Sequence, residues 1–299
     1  MKEENPLSDS LPPTVTLRLP TGIDLEFCHI PAGEFFMGAR GQDADEEPVH
    51  RVRITQAFYL GRYPVTQAQF ATFRPEHENG FPGDSRRPVE QVTWDAATEY
   101  CVWLNDLGQV TWPAGLEGFR AQLPTEAQWE YGCRAGTETE YHTGDGETAL
   151  SAAGWYDGNS GQETHPVGMK EPNAYGLYDM HGNVWEWCAD AWNENAYKMR
   201  VDGVCDPEVT TQSLAGDVLR VLRGGSWFRR AGDCRAACRG RGRPAFRGRS
   251  QGFRVCLFPG PCRAQNEESE SAQRVPGNEA RRQAAAQLEG TSAASFRNE

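Results

Sequence analysis

The chain has no run of the roughly 18 to 20 apolar residues that a membrane-spanning helix needs. Its start, MKEENPLSDSLPP, also lacks the charged-then-apolar pattern of a secretory signal. A membrane partner is therefore not expected, and the expected location is the cytoplasm. No G-x-S-x-G elbow, P-loop, G-x-G-x-x-G or H-E-x-x-H motif occurs, and the six histidines are scattered without metal-ligand spacing. These absences leave hydrolase, nucleotide-transfer and zinc-peptidase chemistry without a sequence basis. The nine cysteines are odd in number and form no C-x-x-C pair, which argues against a zinc site or a dense disulfide framework. They read as mostly free, buried thiols.

One further absence is local. Residues 223–254 contain no lysine, asparagine or histidine, yet they hold ten arginines and a single acid, Asp233. This window carries +9 in a chain of net charge −12, so the remainder carries −21. Charge segregated in this way marks a candidate contact surface. Arginine interleaved with glycine is also unlike the mixed Lys/Glu pattern of an ordinary solvated face.

With 299 residues, 38% of them hydrophobic, the chain can bury one large core or two modest ones. Residues 1–14 read as a flexible lead-in. TVTLRLPTGIDLEFCHIPAGEFFMGA alternates as strands do, and HRVRITQAFYLGRYPV does so again after an acidic loop, predicting two opening hairpin elements. Thr66 with Gln69, and Thr125 with Gln128, have capping-box spacing, and TWDAATEYCVWLND repeats apolar residues at helical intervals. Residues 136–173 read as a long irregular loop. VLRVLRGGSW and GFRVCLF read as two strands of one sheet, with the arginine-rich strip between them. Residues 259–299 form a polar tail, expected to be disordered.

In LYDMHGNVWEW, Asp179, Asn183 and Glu186 flank Gly182. Such oxygens suit a hard cation such as calcium. They equally suit a turn held by local hydrogen bonds, with Trp185 and Trp187 in the core.

IPAGEFFMG, EEPVHRVRITQAFYLGRYPVTQAQF, PVEQVTWDAATEYCVWLN, RAQLPTEAQWEYGCRAG, PNAYGLYDMHGNVWEW, VLRGGSW and GFRV resemble, in order, the motifs of the formylglycine-generating enzyme (sulfatase-modifying factor) family. The resemblance implies an α+β, C-type-lectin-like fold over residues 15–258: a small twisted antiparallel sheet, flanking helices and extensive irregular loops. It also implies a calcium position at Asp179, Gly182, Val184 and Glu186. Enzymes of this family hold copper(I) through two cysteines in a GGSF-x-C-x-x-x-x-C pattern, and here GGSWFRRAGDC puts Arg229 at the first position and Cys234 at the second. Soft thiolates are what copper(I) requires. No copper and no catalytic residue are therefore expected.

The strip more closely resembles the variable segment, residues 224–255, of non-enzymatic variable proteins from diversity-generating retroelements. In that group a reverse transcriptase acts on the gene by rewriting template adenines. The resemblance implies a frame of Gly224, Gly225, Ser226, Trp227, Cys234, Arg235, Ala237, Arg239, Pro244, Arg247 and residues 252–255. It implies interchangeable slots at Phe228, Arg229, Arg230, Gly232, Asp233, Cys238, Gly240, Arg241, Gly242, Arg243, Phe246, Gly248, Arg249 and Ser250. Slots that began as AAC must remain encodable as any-any-C, which excludes Lys, Gln, Glu, Met and Trp. All fourteen comply, for which chance is on the order of a few per cent. The expected partner is an anionic protein ligand, gripped by slot arginines and by Phe228 and Phe246. Arg235, Arg239, Arg247 and Arg254 are expected to tie the strip to acids beneath it. Two other readings stay open: an oxidase of the formylglycine-generating type with an altered metal site, and a basic nucleic-acid-binding module.

Overall fold

Alternation in the opening segment sends Val15, Leu17, Leu25 and Phe27 into the core, so β1 (Thr14–Arg18) and β2 (Asp24–Ile30) pair antiparallel across Pro20, Thr21 and Gly22. The computed structural model describes residues 11–107, 116, 118–211 and 218–259. β3 (Gly33–Met37) and β4 (His50–Ile54) pair antiparallel across the acidic loop, so the run after that loop pairs with the run before it rather than folding on itself. β5 (Phe58–Gly61) then returns to pair with β2.

Helices start where capping residues satisfy their free N–H groups. Thr66 and Thr125 each complete a capping box, opening α1 (Gln67–Ala71) and α3 (Glu126–Arg134). Thr93 caps α2 (Trp94–Asp106), whose Ala97, Tyr100, Cys101 and Leu104 form one buried face. β6 (Phe119–Gln122) lies between α2 and α3. Within the expected loop, α4 (Gly146–Ala153) forms behind Asp145. The chain continues through β7 (Trp185–Ala191), α5 (Ala196–Met199), β8 (Val204–Cys205), β9 (Arg220–Arg223), β10 (Arg239–Gly242), β11 (Gln251–Gly252) and β12 (Cys256–Pro259).

The result is a mixed α/β fold with three small sheets in place of the single antiparallel sheet expected. Their strand orders are β1-β2-β5-β12-β6, β10-β9-β7-β11 and β3-β4-β8, and the β7–β11 and β4–β8 pairs are parallel. The expected strand GFRVCLF is split: its start lies in β11, which shares the second sheet with β9, while its end forms β12 in the first sheet. Trp129, Trp187, Tyr59, Tyr100, Phe27, Phe58, Phe70 and Phe253 are fully buried among the layers.

Residues 1–10 of the expected lead-in lie outside the described residues; at its end the Tyr59 hydroxyl donates to the Pro12 carbonyl at 2.8 Å, and His29 N donates to Pro13 O at 2.9 Å. Of the expected tail, Pro259 ends β12 and residues 260–299 fall outside the described residues. Seven of the eight described cysteines are buried and all are free, Cys205 alone being exposed. No helix among the described residues is long and apolar enough to cross a membrane.

Candidate ligand-binding surface

The strip begins with two consecutive left-handed residues, Gly224 (φ 95°) and Gly225 (φ 74°). A side chain at Gly225 would place its Cβ 2.4 Å from Cys234 Sγ, so the pair has to be glycine. Gly182 N donates to Gly224 O at 2.6 Å, and Trp227 N to Asn183 O at 3.0 Å, seating the strip on the LYDMHGNVWEW turn. The chain then makes a 3-10 turn at Ala231–Cys234 and forms β10 antiparallel to β9. It crosses past Trp94, whose N–H donates to Pro244 O at 2.9 Å, and ends as β11 beside β7. One segment thus supplies both edges of the second sheet.

Buried arginine-carboxylate pairs hold this path in place. Arg223, fully buried on β9, donates to Glu126 and Glu130 of α3 and to the carbonyls of Ala236 and Ala237 at 2.7 and 2.9 Å. Arg239 makes a two-bond contact with Glu126 at 2.6 and 2.9 Å and lies over the Trp192 and Tyr197 rings. Arg235 grips both oxygens of Glu46 at 2.8 Å. Arg254 grips Glu186 at 2.6 and 2.7 Å. Burial alone would raise the Glu126 and Glu130 carboxyls. The adjacent guanidinium groups, Arg239 and Arg223 at Glu126 and Arg134 and Arg223 at Glu130, overcome it and hold both below the usual carboxylate range.

Sequence reasoning anticipated acids beneath the strip but did not identify them, and it passed over Arg223. The spacing of Glu126 and Glu130, four apart on one helix, was the available signal. One expected anchor differs: Arg247 is exposed and makes no ion pair or hydrogen bond among the described residues.

Across the rest of the strip, burial separates frame from slots. Gly224, Gly225, Ser226, Cys234, Arg235, Ala237, Arg239 and residues 252–255 are buried, with Trp227 and Pro244 intermediate. Phe228, Arg229, Arg230, Gly232, Arg241, Arg243, Phe246 and Arg249 are exposed, while Asp233, Gly240, Gly242 and Gly248 are intermediate. Cys238 and Ser250 depart from the pattern by being buried. Gly240 and Gly242 face inward: a Cβ there would meet the Trp185 ring at 3.0 Å and the Trp187 ring at 2.7 Å. The slots therefore divide into a displayed set and a smaller set packed against the sheet.

The residues at the family's copper(I) position and at the implied calcium position can be tested on their donors. For copper(I), Arg229 contributes a guanidinium paired with Asp233 at 3.9 Å. Burial raises the Cys234 thiol well above its ordinary value, and burial pushes Cys238 up to about 12, so neither is a ready thiolate. This set does not fit copper(I). For calcium, Glu186 is committed to Arg254 and to Trp129 Nε1 at 2.7 Å. The Asp179 oxygens accept from Gly168 N at 2.8 Å and Asn183 Nδ2 at 3.1 Å. Burial raises Asp179 to about 6. The positive charge that balances Glu186 is already supplied by Arg254, so the set fits calcium poorly. Removing calcium with a chelator is expected to leave the melting temperature unchanged. A rise of several degrees with added calcium, lost in Asp179→Asn, would contradict this.

Residues 23–257 match the sulfatase-modifying factor enzyme 1-like domain. The chain belongs to this family. Among curated members, the formylglycine-generating enzyme of Mycobacterium tuberculosis is 30% identical over 262 residues, covering 67% of this chain and 86% of that one. The serine/threonine-protein kinase pkn1 of Chlamydia caviae is 32% identical over 261 residues, and this chain spans 38% of its length. Two solved structures share the family fold. Treponema denticola variable protein 1 superposes with a TM-score of 0.71 at 28% identity, covering 83% of this chain and 100% of that one. PvdO of Pseudomonas aeruginosa superposes at 0.68 with 27% identity, covering 83% and 99%.

Proposed function

We propose that this family member is a ligand-binding variable protein of a diversity-generating retroelement, a C-type-lectin-like scaffold that displays interchangeable residues and performs no chemistry itself. The observation that carries the reading is the separation within one strip. Buried arginines of the frame are neutralised by buried carboxylates, while most slots project outward. Side chains can then change at the surface without disturbing the ion pairs that set the backbone path. The any-any-C compliance of all fourteen slots and the likeness to a protein titled variable protein 1 point the same way. A protein ligand suits the two exposed aromatic slots, since aromatic and arginine side chains supply most hot-spot energy.

The similarity to formylglycine-generating enzymes favours an oxidase as the second reading. Its difficulty is the donor set, in which a guanidinium and deeply buried thiols stand where copper(I) would need two thiolates.

The DNA around the gene provides the test. A near-repeat of the segment encoding residues 224–255, differing mainly at adenines, is expected beside a reverse-transcriptase gene. If both are missing, the reading fails. Tight stoichiometric copper(I) binding that disappears in Cys234→Ala would restore the oxidase.

A further inference from the structure

We propose that the displayed slots recognise a carboxylate-rich, apolar-studded segment of a protein. The inference rests on the ligand-binding reading and narrows its partner to one chemistry.

The arginines fall into two populations. Arg223, Arg235, Arg239 and Arg254 are buried and paired with carboxylates. Arg230, Arg241, Arg243 and Arg249 are exposed and make no ion pair among the described residues. Arg229 pairs with Asp233, the strip's one acid, at 3.9 Å and with both side chains substantially exposed. A surface pair of this kind contributes little and exchanges readily for a better-placed carboxylate.

Several of these guanidinium groups are positioned by aromatic rings. Arg229 lies over Phe228 at 4.8 Å, Arg241 over Trp192 at 5.0 Å and Arg249 over Phe81 at 5.8 Å. Contact with a ring occupies the face of a guanidinium and leaves its N–H edge available for a two-bond carboxylate contact. Beside them, Phe228 and Phe246 are 39% and 52% exposed, large apolar areas for a surface. The patch therefore offers both charge-assisted donors and hydrophobic anchors.

A long polyanion matches this surface less well. The chain outside residues 223–254 carries −21, so an extended nucleic acid would meet a repulsive field beyond the strip. A protein segment with a local cluster of carboxylates meets only the strip, and its apolar side chains meet the two phenylalanines. Arginine supplied by mutation, whatever put it there, presents the same chemistry to a partner.

The experiment selects binders to the full chain from a random 12-residue peptide library. Affinities for the selected peptides are then measured with the parent and with Arg241→Ser/Arg243→Ser and Phe246→Ser, all at exposed slots. Selected peptides should be enriched in Asp and Glu alternating with apolar residues. The double arginine change should weaken them about 100-fold and Phe246→Ser about tenfold, with unchanged melting temperature. Binders that lack acids but still depend on the slots would overturn this inference and leave the ligand-binding reading intact. Binders insensitive to slot changes, or no binders at all, would count against both. Tighter binding to random single-stranded DNA than to the peptides would overturn the choice of carboxylate.

Discussion

Arg223→Ala should destabilise the fold by about 3–5 kcal/mol, the usual consequence of removing one partner from a buried ion-pair network. Arg223 is fully buried between Glu126 and Glu130 and also holds the carbonyls of Ala236 and Ala237. Its loss leaves two interior carboxylates short of positive charge and frees two backbone acceptors at the centre of the strip. Arg223→Met refills the volume but not the charge, so it should rescue little. Arg230→Ala, at an exposed slot, should change stability by less than about 0.5 kcal/mol. Chemical denaturation of the three variants supplies the comparison, and a loss below about 1 kcal/mol for Arg223→Ala would refute the pinning role. The acid limb should report the same network. Because Glu126 and Glu130 titrate lower in the folded protein than the ordinary 4.5, they add stability above that pH. This contribution fades as pH falls through their lowered values. Arg223→Ala should flatten the limb.

The second large effect concerns a slot. Gly242→Phe is a change that the any-any-C rule permits, yet it should lower stability by about 1–3 kcal/mol through overpacking. Its Cβ would lie 2.7 Å from the Trp187 ring, which is fully buried and donates through Nε1 to Val92 O at 2.9 Å. The ring has nowhere to move. Gly232→Phe puts its Cβ where no atom lies within 4 Å, and it should be nearly neutral. Equal melting temperatures for the two variants would show that the inward face of β10 is not closed. If the effects differ as expected, the fourteen slots are not equally free, and diversity tolerated at Gly240 and Gly242 will be biased toward small residues.

Much of the local structure was legible because its causes are local. Thr66 and Thr125 announced their helices through side chains three residues apart, and alternation in TVTLR and DLEFCHI announced the first hairpin. What escaped depended on distant partners. Glu126 and Glu130 meet Arg223 across more than ninety residues of sequence, and no spacing rule brings them together. Glu186, at the calcium position that the resemblance implies, pairs with Arg254, sixty-eight residues away, and no local spacing announces that partner. The division of GFRVCLF between β11, in the sheet of β9, and β12, in another sheet, was not legible, because apolar patterning identifies a strand but not its neighbour. α4 was missed in a Gly- and Thr-rich stretch whose short apolar face, Leu150 and Ala153, gives little periodicity. Arg247 shows the limit of pattern alone: it stands at an expected frame position but makes no ion pair among the described residues.

Replacing Phe228, Arg229, Arg230, Arg241, Arg243, Phe246 and Arg249 together with serine, and measuring unfolding free energy beside the parent, tests the separation of frame from display most directly. The account predicts a cooperative fold within about 2 kcal/mol of the parent. A variant that unfolds, or loses cooperativity, would show that these residues hold the scaffold together and would contradict the account.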